Sequence, residues 1–395
     1  MNNDKNQQSK NILFIIYLFT LVSVAAINFS VAISSIAMGS GIFFLIFYLL
    51  HEKYFTEIKT KLDVFFLAYL IAEIISTVFS VEPAHSALNM KRILLISIVY
   101  LTMLSMMNEA YLRRTLIIVV ICASLVSLAE LFSLKWIDGR LARLSQFQYF
   151  TTEGGIKMFF ILLVFPFLVH NLTPLKYKIY FSIALIPLIV ALVLTQTRSS
   201  WLGLIGGIIT IGIFQKKIII LFIIILLIVF LLFAPADLRS RAYSIIDPTM
   251  TSNLTRIHMI STGWQMFLDR PLFGWGDIDL KKYYLTYTVP IDNAEGGHLH
   301  NNFMMLLATL GIVGFLTVTA LFIKILLIEL QVRKFTREHW FYGSLSLGCL
   351  AAYAGFHING LFEWNFGDHE IAVILWFTVG IALTIEKLFQ QNIKV

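Results

Sequence analysis

Runs of about 17 or more mostly apolar residues recur along almost the whole chain, each long enough to cross a hydrocarbon core of about 30 Å as a helix. This repetition leaves little choice of fold. Inside lipid every backbone N–H and C=O must be satisfied within the protein, which admits helices and closed barrels, and these runs lack the alternation of barrel strands. Of the 395 residues, 58% are apolar, 13% are charged and 34 are phenylalanine, well above the apolar share of a soluble domain. The expected fold is an all-α polytopic membrane protein. About 12 transmembrane helices are read at 11–28, 31–50, 63–80, 93–107, 115–133, 156–172, 179–197, 200–214, 218–235, 302–328, 340–361 and 371–389.

The short connections sort by charge. Lys5 and Lys10; Lys53, Lys59 and Lys61; Arg113 and Arg114; Lys176 and Lys178; Lys216 and Lys217; Arg333, Lys334 and Arg337; and Lys394 fall on alternate connections. By the positive-inside rule that side is cytoplasmic and holds both termini. The opposite connections, with Glu82 to Arg92, Lys135 to Gly155, the neighbourhood of Arg198 and Glu363 to Glu370, face outward. The net charge of +7 therefore reads as topology, and no nucleic-acid partner is expected. Asn28 and Ser30 are the one break in the first apolar stretch, so the placement of the N-terminus rests on them. MNNDKNQQSK is not followed by a small-residue cleavage site, and the first helix is expected to remain as an anchor. Cys122 and Cys349 lie inside apolar runs and read as isolated core thiols.

One connection differs in kind. Pro235 to Asn301 is long and of mixed polarity, with Trp264, Trp275, Tyr283, Tyr284 and Tyr287 among charges. WQMFLD and the residues before it suggest an amphipathic helix stopped at Pro271 and followed by the glycine-rich turn FGWG. The chain thus divides into helices 1–9 (1–235), a periplasmic loop subdomain between helices 9 and 10 (236–301), and helices 10–12 (302–395), with no internal repeat.

Several polar residues sit at the ends of spans. Arg198, in LTQTRSSWLG, either snorkels to the interface or meets an anion. Arg256, in NLTRIHMISTGW, opens the amphipathic helix of the loop, where an ordinary surface role is the simplest reading. In GGHLHNNFMMLLATLGIVG, His300 stands beside an asparagine suited to capping the next helix, and imidazole is also the side chain that titrates near neutral pH as a general base. His298 invites a zinc reading, but the sequence near it offers neither an H-E-x-x-H helix nor a cysteine pair, so no metal and no cofactor are expected. Asp277 and Asp279 are similar to the DxD of nucleotide-sugar transferases, yet those substrates are cytoplasmic while this loop faces outward; the pair reads as a turn. Glu73 and Glu130 lie within spans, and Glu363, Asp368, His369 and Glu370 could face the same cavity as His300.

The chain resembles the O-antigen ligase family, within the wider group of lipid-linked oligosaccharide polymerases and ligases. The family signature is His, then Asn, Ser or Gln, nine residues, Gly, two residues, and Gly, Thr or Tyr. His300 and Asn301, nine residues, Gly311, Ile312, Val313 and Gly314 reproduce it. The family's first functional arginine follows an LTQTR-like sequence, which Arg198 matches; the second heads a helix in the large loop, which Arg256 matches less specifically, with Arg239, Arg241 and Arg270 as rivals. The resemblance is strongest over about 190–315 and elsewhere rests on span number and hydropathy.

The resemblance implies a multi-pass glycosyltransferase of the bacterial inner membrane acting at its periplasmic face. The donor would be a glycan on undecaprenyl diphosphate and the acceptor a hydroxyl of lipid A-core. His300 would be the base and Arg198 and Arg256 would bind the diphosphate, while His298, Asn301, Gly311 and Gly314 would support the site. Spans lined by Phe and Leu would hold the polyprenyl tail among membrane lipids. The same resemblance covers polymerases that use a lipid-linked glycan as acceptor. A transporter or flippase predicts glycine- or proline-broken helices in corresponding halves, a symmetry the sequence does not have.

Overall fold

The computed structural model describes residues 2–52, 58–137, 140–284, 286–287 and 298–393. Lys53, Lys394 and the stretch 288–297 of the long connection lie outside the described residues. The helices are α1 (Asn2–Ala26), α2 (Val31–Glu52), α3 (Asp63–Val78), α4 (Pro83–Asn89), α5 (Ser97–Ser105), α6 (Glu109–Leu131), α7 (Phe150–Val169), α8 (Leu175–Leu194), α9 (Arg198–Phe214), α10 (Ile218–Phe233), α11 (Ala236–Tyr243), α12 (Thr251–Asp269), α13 (Lys281–Tyr284), α14 (Asn302–Thr336), α15 (Trp340–Asn359) and α16 (His369–Ile393). A 3₁₀ turn, Met90–Ile96, joins α4 to α5, and a small hairpin of β1 (Trp136–Ile137) and β2 (Arg140–Leu141) precedes α7.

Every apolar run of the sequence is helical, and the chain turns between α1 and α2 at the expected Asn28–Ser30 break. Among the described residues, eight helical stretches are long and apolar enough to cross a membrane, and α9 and α10 are shorter apolar helices. The run expected to begin at 93 starts ten residues earlier, at Pro83. Its ring occupies the first turn of α4, where a missing N–H costs nothing, and the chain then tightens through the 3₁₀ turn before α5.

Burial ranks the helices. In the apolar windows of α7 and α16, 83% and 89% of residues are buried, against 33–44% in the six others. With α15, 15 of whose 20 residues are buried, these two helices form the centre of the bundle. The outer helices turn Ile36, Ile183 and Phe222 outward, as a lipid-facing surface requires. Helix α9 lies close against α15, since a Cβ on Gly203 would stand 2.8 Å from the Gly355 carbonyl oxygen. That contact fixes the helix whose first residue is Arg198.

Helix α14 is broken at Gly311, where the backbone adopts φ 62° and ψ −168°, a region open essentially to glycine alone. The break frees helical backbone groups, and the FGWG segment supplies their partners. The N–H groups of Trp275 and Gly276 donate to the carbonyls of Ala308 and Thr309 at 2.9 Å each. Those of Ile312 and Val313 donate to the carbonyls of Pro271 and Leu272 at 2.8 and 3.3 Å. Ser76 of α3 donates to the same Thr309 carbonyl at 2.8 Å. A Cβ on Gly311 would meet the Leu272 carbonyl carbon and oxygen at 2.5 Å, backbone atoms that have no room to give.

Gly311→Ala therefore combines a forbidden backbone conformation with a backbone clash, and a loss of about 1–3 kcal/mol is expected. Thermal unfolding of the purified protein in detergent measures it, and cleavage near 271–276 should become faster under limited proteolysis. Unchanged stability together with unchanged cleavage would rule out the exchange of hydrogen bonds as a structural requirement.

Candidate active site

The two asparagines after His300 are structural. Asn301, with extended backbone, caps α14 by accepting the Met304 N–H at 2.9 Å, and its amide donates to the Leu361 carbonyl at 2.8 Å. The Asn302 N–H donates to the Gly360 carbonyl at 2.7 Å, and its side chain donates to Asn365 at 2.6 Å while accepting the Phe366 N–H at 3.2 Å. Asn365 continues to Asn359 at 2.9 Å, and Asn359 to Ser200 of α9 at 3.0 Å. The start of α14, the turn between α15 and α16, and the head of α9 are thereby tied into one unit.

His300 sits at the edge of this network with φ 47°, a left-handed conformation uncommon in residues other than glycine and found preferentially where surrounding structure imposes it. Its Nδ1 lies 2.6 Å from Glu363 Oε1. The same oxygen lies 3.3 Å from His298 Nε2, and Arg256 approaches the other carboxylate oxygen at 4.0 Å. Burial alone would raise the Glu363 carboxyl, but the hydrogen bonds and charges of His298 and His300 outweigh it and hold it well below the usual carboxylate range. A carboxylate that stays ionised fixes the imidazole tautomer: with Nδ1–H donating to Glu363, Nε2 carries the free lone pair.

His298, His300 and Glu363 have ligand atoms within 4.8 Å of one another, so the third group that the sequence near HLH did not offer comes from the turn after α15, and the set could hold a metal ion. The 2.6 Å between Nδ1 and Oε1 fits a shared proton better. Two donors each about 2.0–2.2 Å from one zinc in tetrahedral array stand farther apart than that.

Arg198 heads α9, directly after the Thr195–Thr197 turn in which Gln196 has φ 54°. Its guanidinium donates to the Ser244 carbonyl and hydroxyl and, at 2.8 Å, to Ser252. Arg143 and Arg241 brace the turn beneath it: both donate to the Gln196 carbonyl, at 3.3 and 3.0 Å, and Arg143 also reaches the Thr195 carbonyl at 3.0 Å while stacking over Phe150. Burial and then the charge of Arg241 push Arg143 down to about 9, and burial and then Arg256 push Arg241 down as well. Arg256 is lowered by burial, with Glu363 opposing. These guanidinium groups remain protonated near neutral pH and crowd one another. Arg198 and Arg256 line a common cleft of ≈ 280 Å³ whose remaining walls are mostly apolar, among them Leu202, Ile257, Ile260 and Phe362, with Asp247 and Asn253 as further polar groups. Two cations in a mostly apolar cleft suit an anionic head group with a lipid tail.

The structure thus joins His300, His298 and Arg256 through Glu363, sets Arg198 and Arg256 in one cleft, and places Gly311 and Gly314 in α14, with Asn301 as its cap and His300 just before the cap. Arg256 is the sixth residue of α12 and not its opening one, because the helix begins at Thr251. Of the rival arginines, Arg241 belongs to the cluster, whereas Arg270 lies over Trp275 and donates to the Phe79 carbonyl. Asp277 is no simple turn residue. It is buried and receives both carboxylate contacts from Arg92 Nη1 at 2.8 Å. Glu130 pairs with Lys157 at 2.7 Å. Arg143 was not legible as a site residue, since a lone arginine in a connection carries no pattern.

The depressed Glu363 carboxyl has a stability consequence. A carboxyl lowered in the folded state contributes stability that is present above its ordinary value near 4.5 and is lost as pH falls below it. Glu363→Gln should be less stable than wild type at pH 7 by about 3 kcal/mol, having lost one partner of a buried ion pair. The difference should shrink steadily below about pH 4.5, which melting curves across pH will detect. A difference independent of pH would mean that the Glu363 charge contributes nothing.

Comparison with curated proteins gives no match. Residues 183–319, which contain Arg198, Arg256, His300 and both signature glycines, match the family model described as Wzy_C, O-Antigen ligase. The match supports a function of the ligase or polymerase type in general, and over this segment the chain is similar to the O-antigen ligase family.

Proposed function

We propose that the protein transfers a glycan from undecaprenyl diphosphate to a sugar hydroxyl of lipid A-core, with inversion and without a metal, using His300 as base and Arg198 and Arg256 to bind the diphosphate. The observation that carries this reading is the 2.6 Å contact of His300 with Glu363, near Arg256, which shares a mostly apolar cleft with Arg198. The loop 236–301 would then be a periplasmic subdomain between the ninth and tenth spans, with both termini cytoplasmic.

The chemistry follows from these groups. His300 Nε2 takes the proton of the acceptor hydroxyl as its oxygen attacks the anomeric carbon from the face opposite the leaving group. The bond from that carbon to the diphosphate oxygen breaks, and its electron pair leaves with the diphosphate. Arg198 and Arg256 meet the charge that develops there; a guanidinium can engage two oxygens at once. Glu363 stays ionised and stabilises the imidazolium, as the aspartate does in a serine-protease triad, without taking the proton itself. The proton on His300 is later lost to solvent, which returns the site to its starting state.

In a reconstituted assay with labelled donor, His300→Ala is expected to lower transfer by about 10²-fold or more while the protein still inserts and folds. Full transfer by that variant would remove the base assignment. Arg198→Lys keeps a charge but loses the planar fork, and a loss of about 10²-fold is expected. Wild-type activity in Arg198→Lys would refute bidentate binding at this residue. Chelator should leave the rate unchanged. Offering a second lipid-linked glycan in place of lipid A-core distinguishes a polymerase from a ligase.

A further inference from the structure

A second cleft reaches the same Glu363-centred cluster from the His298 side, and among the described residues it shares no lining residue with the first. Its walls are of another chemistry. The first cleft sets two arginines, with Asp247 and Asn253, among mostly isoleucine, leucine and phenylalanine, whereas the second is mostly polar, lined by His85, Asn89, Arg92, Asp277, Asp279 and Trp364 with Ile278 and Met305. Donors and acceptors stand there together with one large aromatic ring, which suits an uncharged polyhydroxylated molecule. Asp277 is paired with Arg92, and the Asp279 carboxylate disfavours a phosphate while it can accept hydrogen bonds from hydroxyl groups.

The cleft is built before anything enters it. Arg92 holds both oxygens of Asp277 at 2.8 Å, Asn89 donates to the Asp277 carbonyl at 2.8 Å, and the Asp277 N–H donates to Ser86 Oγ at 3.1 Å. Just upstream, Ser80 donates to the Trp275 carbonyl at 2.8 Å. The segment that fills the break in α14 therefore continues directly into the wall of this cleft, clamped to α4 and the 3₁₀ turn. A prearranged wall spares a ligand the cost of ordering it.

We infer that this cleft is the acceptor-sugar subsite, in which Asp279, His85 and the Arg92–Asp277 pair hold the ring bearing the attacking hydroxyl while His298 forms the boundary with the base. The inference rests on the glycan-transfer reading above and adds the place and the residues of acceptor recognition. The two substrates then enter by separate routes and meet at His300, the donor along Arg198 and Arg256 and the acceptor along α4.

The test uses the full-length purified protein, an undecaprenyl-diphosphate-linked glycan as donor, and whichever glycolipid the wild type accepts, lipid A-core or a second lipid-linked glycan. Asp279 and His85 are exposed, so replacing them leaves the core intact. The double variant His85→Ala/Asp279→Ala should raise the acceptor KM about tenfold, with the donor KM unchanged. His85→Trp, which adds bulk at the mouth of the cleft, should raise it as well. An unchanged acceptor KM in both variants, or an equal rise in both KM values, overturns the subsite. In that event the transferase reading still stands on the wild-type rate and its loss in His300→Ala. No transfer by the wild type to either glycolipid overturns both.

Discussion

The exchange of four backbone hydrogen bonds between α14 and the segment 271–276 organises everything at this end of the molecule. A helix broken at membrane depth is tolerated where its freed groups meet other protein, and here the partner is a loop that would otherwise have few reasons to lie down on the bundle. Because α14 is interrupted at Gly311, its first nine residues form a separate short helix with its own cap. That helix carries Asn301 and Asn302 into the turn between α15 and α16, and so sets His300 against Glu363. In the other direction, the docked loop carries Asp277 to Arg92. One glycine with a conformation closed to other residues thereby couples the base, the loop and the α4 region.

Electrostatics is the second constraint. Arg143, Arg198, Arg241 and Arg256 form one group in which Arg256 helps to lower Arg241, and Arg241, Arg198 and Arg256 help to lower Arg143, and the carboxylate that approaches the group, Glu363, is also claimed by two histidines. Buried like charges are costly, and hydrogen bonds to the carbonyls of the Thr195–Thr197 turn and to Ser244 and Ser252 offset part of that cost. The remainder is an excess of positive charge facing a mostly apolar cleft. In the proposed reaction an anion delivered there relieves the repulsion, so the arrangement that costs stability in the empty protein would favour a diphosphate.

The sequence made the helices legible because hydropathy in lipid is read directly from run length, and the His300, Asn301, Gly311 and Gly314 spacing is legible because those residues lie within 15 positions of one another, around the start and the break of α14. What stayed hidden is pairing between connections. Glu363 lies 63 positions from His300, and the Arg92 partner of Asp277 lies 185 positions away; no local pattern announces either. Asp277 therefore looked like a turn residue, and HLH looked short of a third ligand. Gly311 reads in the sequence only as a signature glycine, and its effect in the structure is to open the helix and hand its backbone groups to the loop.

Glu363 links these layers because one carboxylate serves two neighbours with opposite needs. In the proposed reaction His300 gains a proton and a positive charge as the acceptor attacks, at the moment when negative charge builds on the departing diphosphate near Arg256. A carboxylate between them stabilises the new imidazolium and, by attracting Arg256 across 4.0 Å, keeps that guanidinium near the leaving group without binding it tightly. A neutral side chain in its place would hold the imidazole by a hydrogen bond yet leave both cations unbalanced. Proton removal and charge acceptance are thus tied through a single buried charge, and the asparagine network that fixes the turn carrying it matters to the chemistry as much as the histidine does.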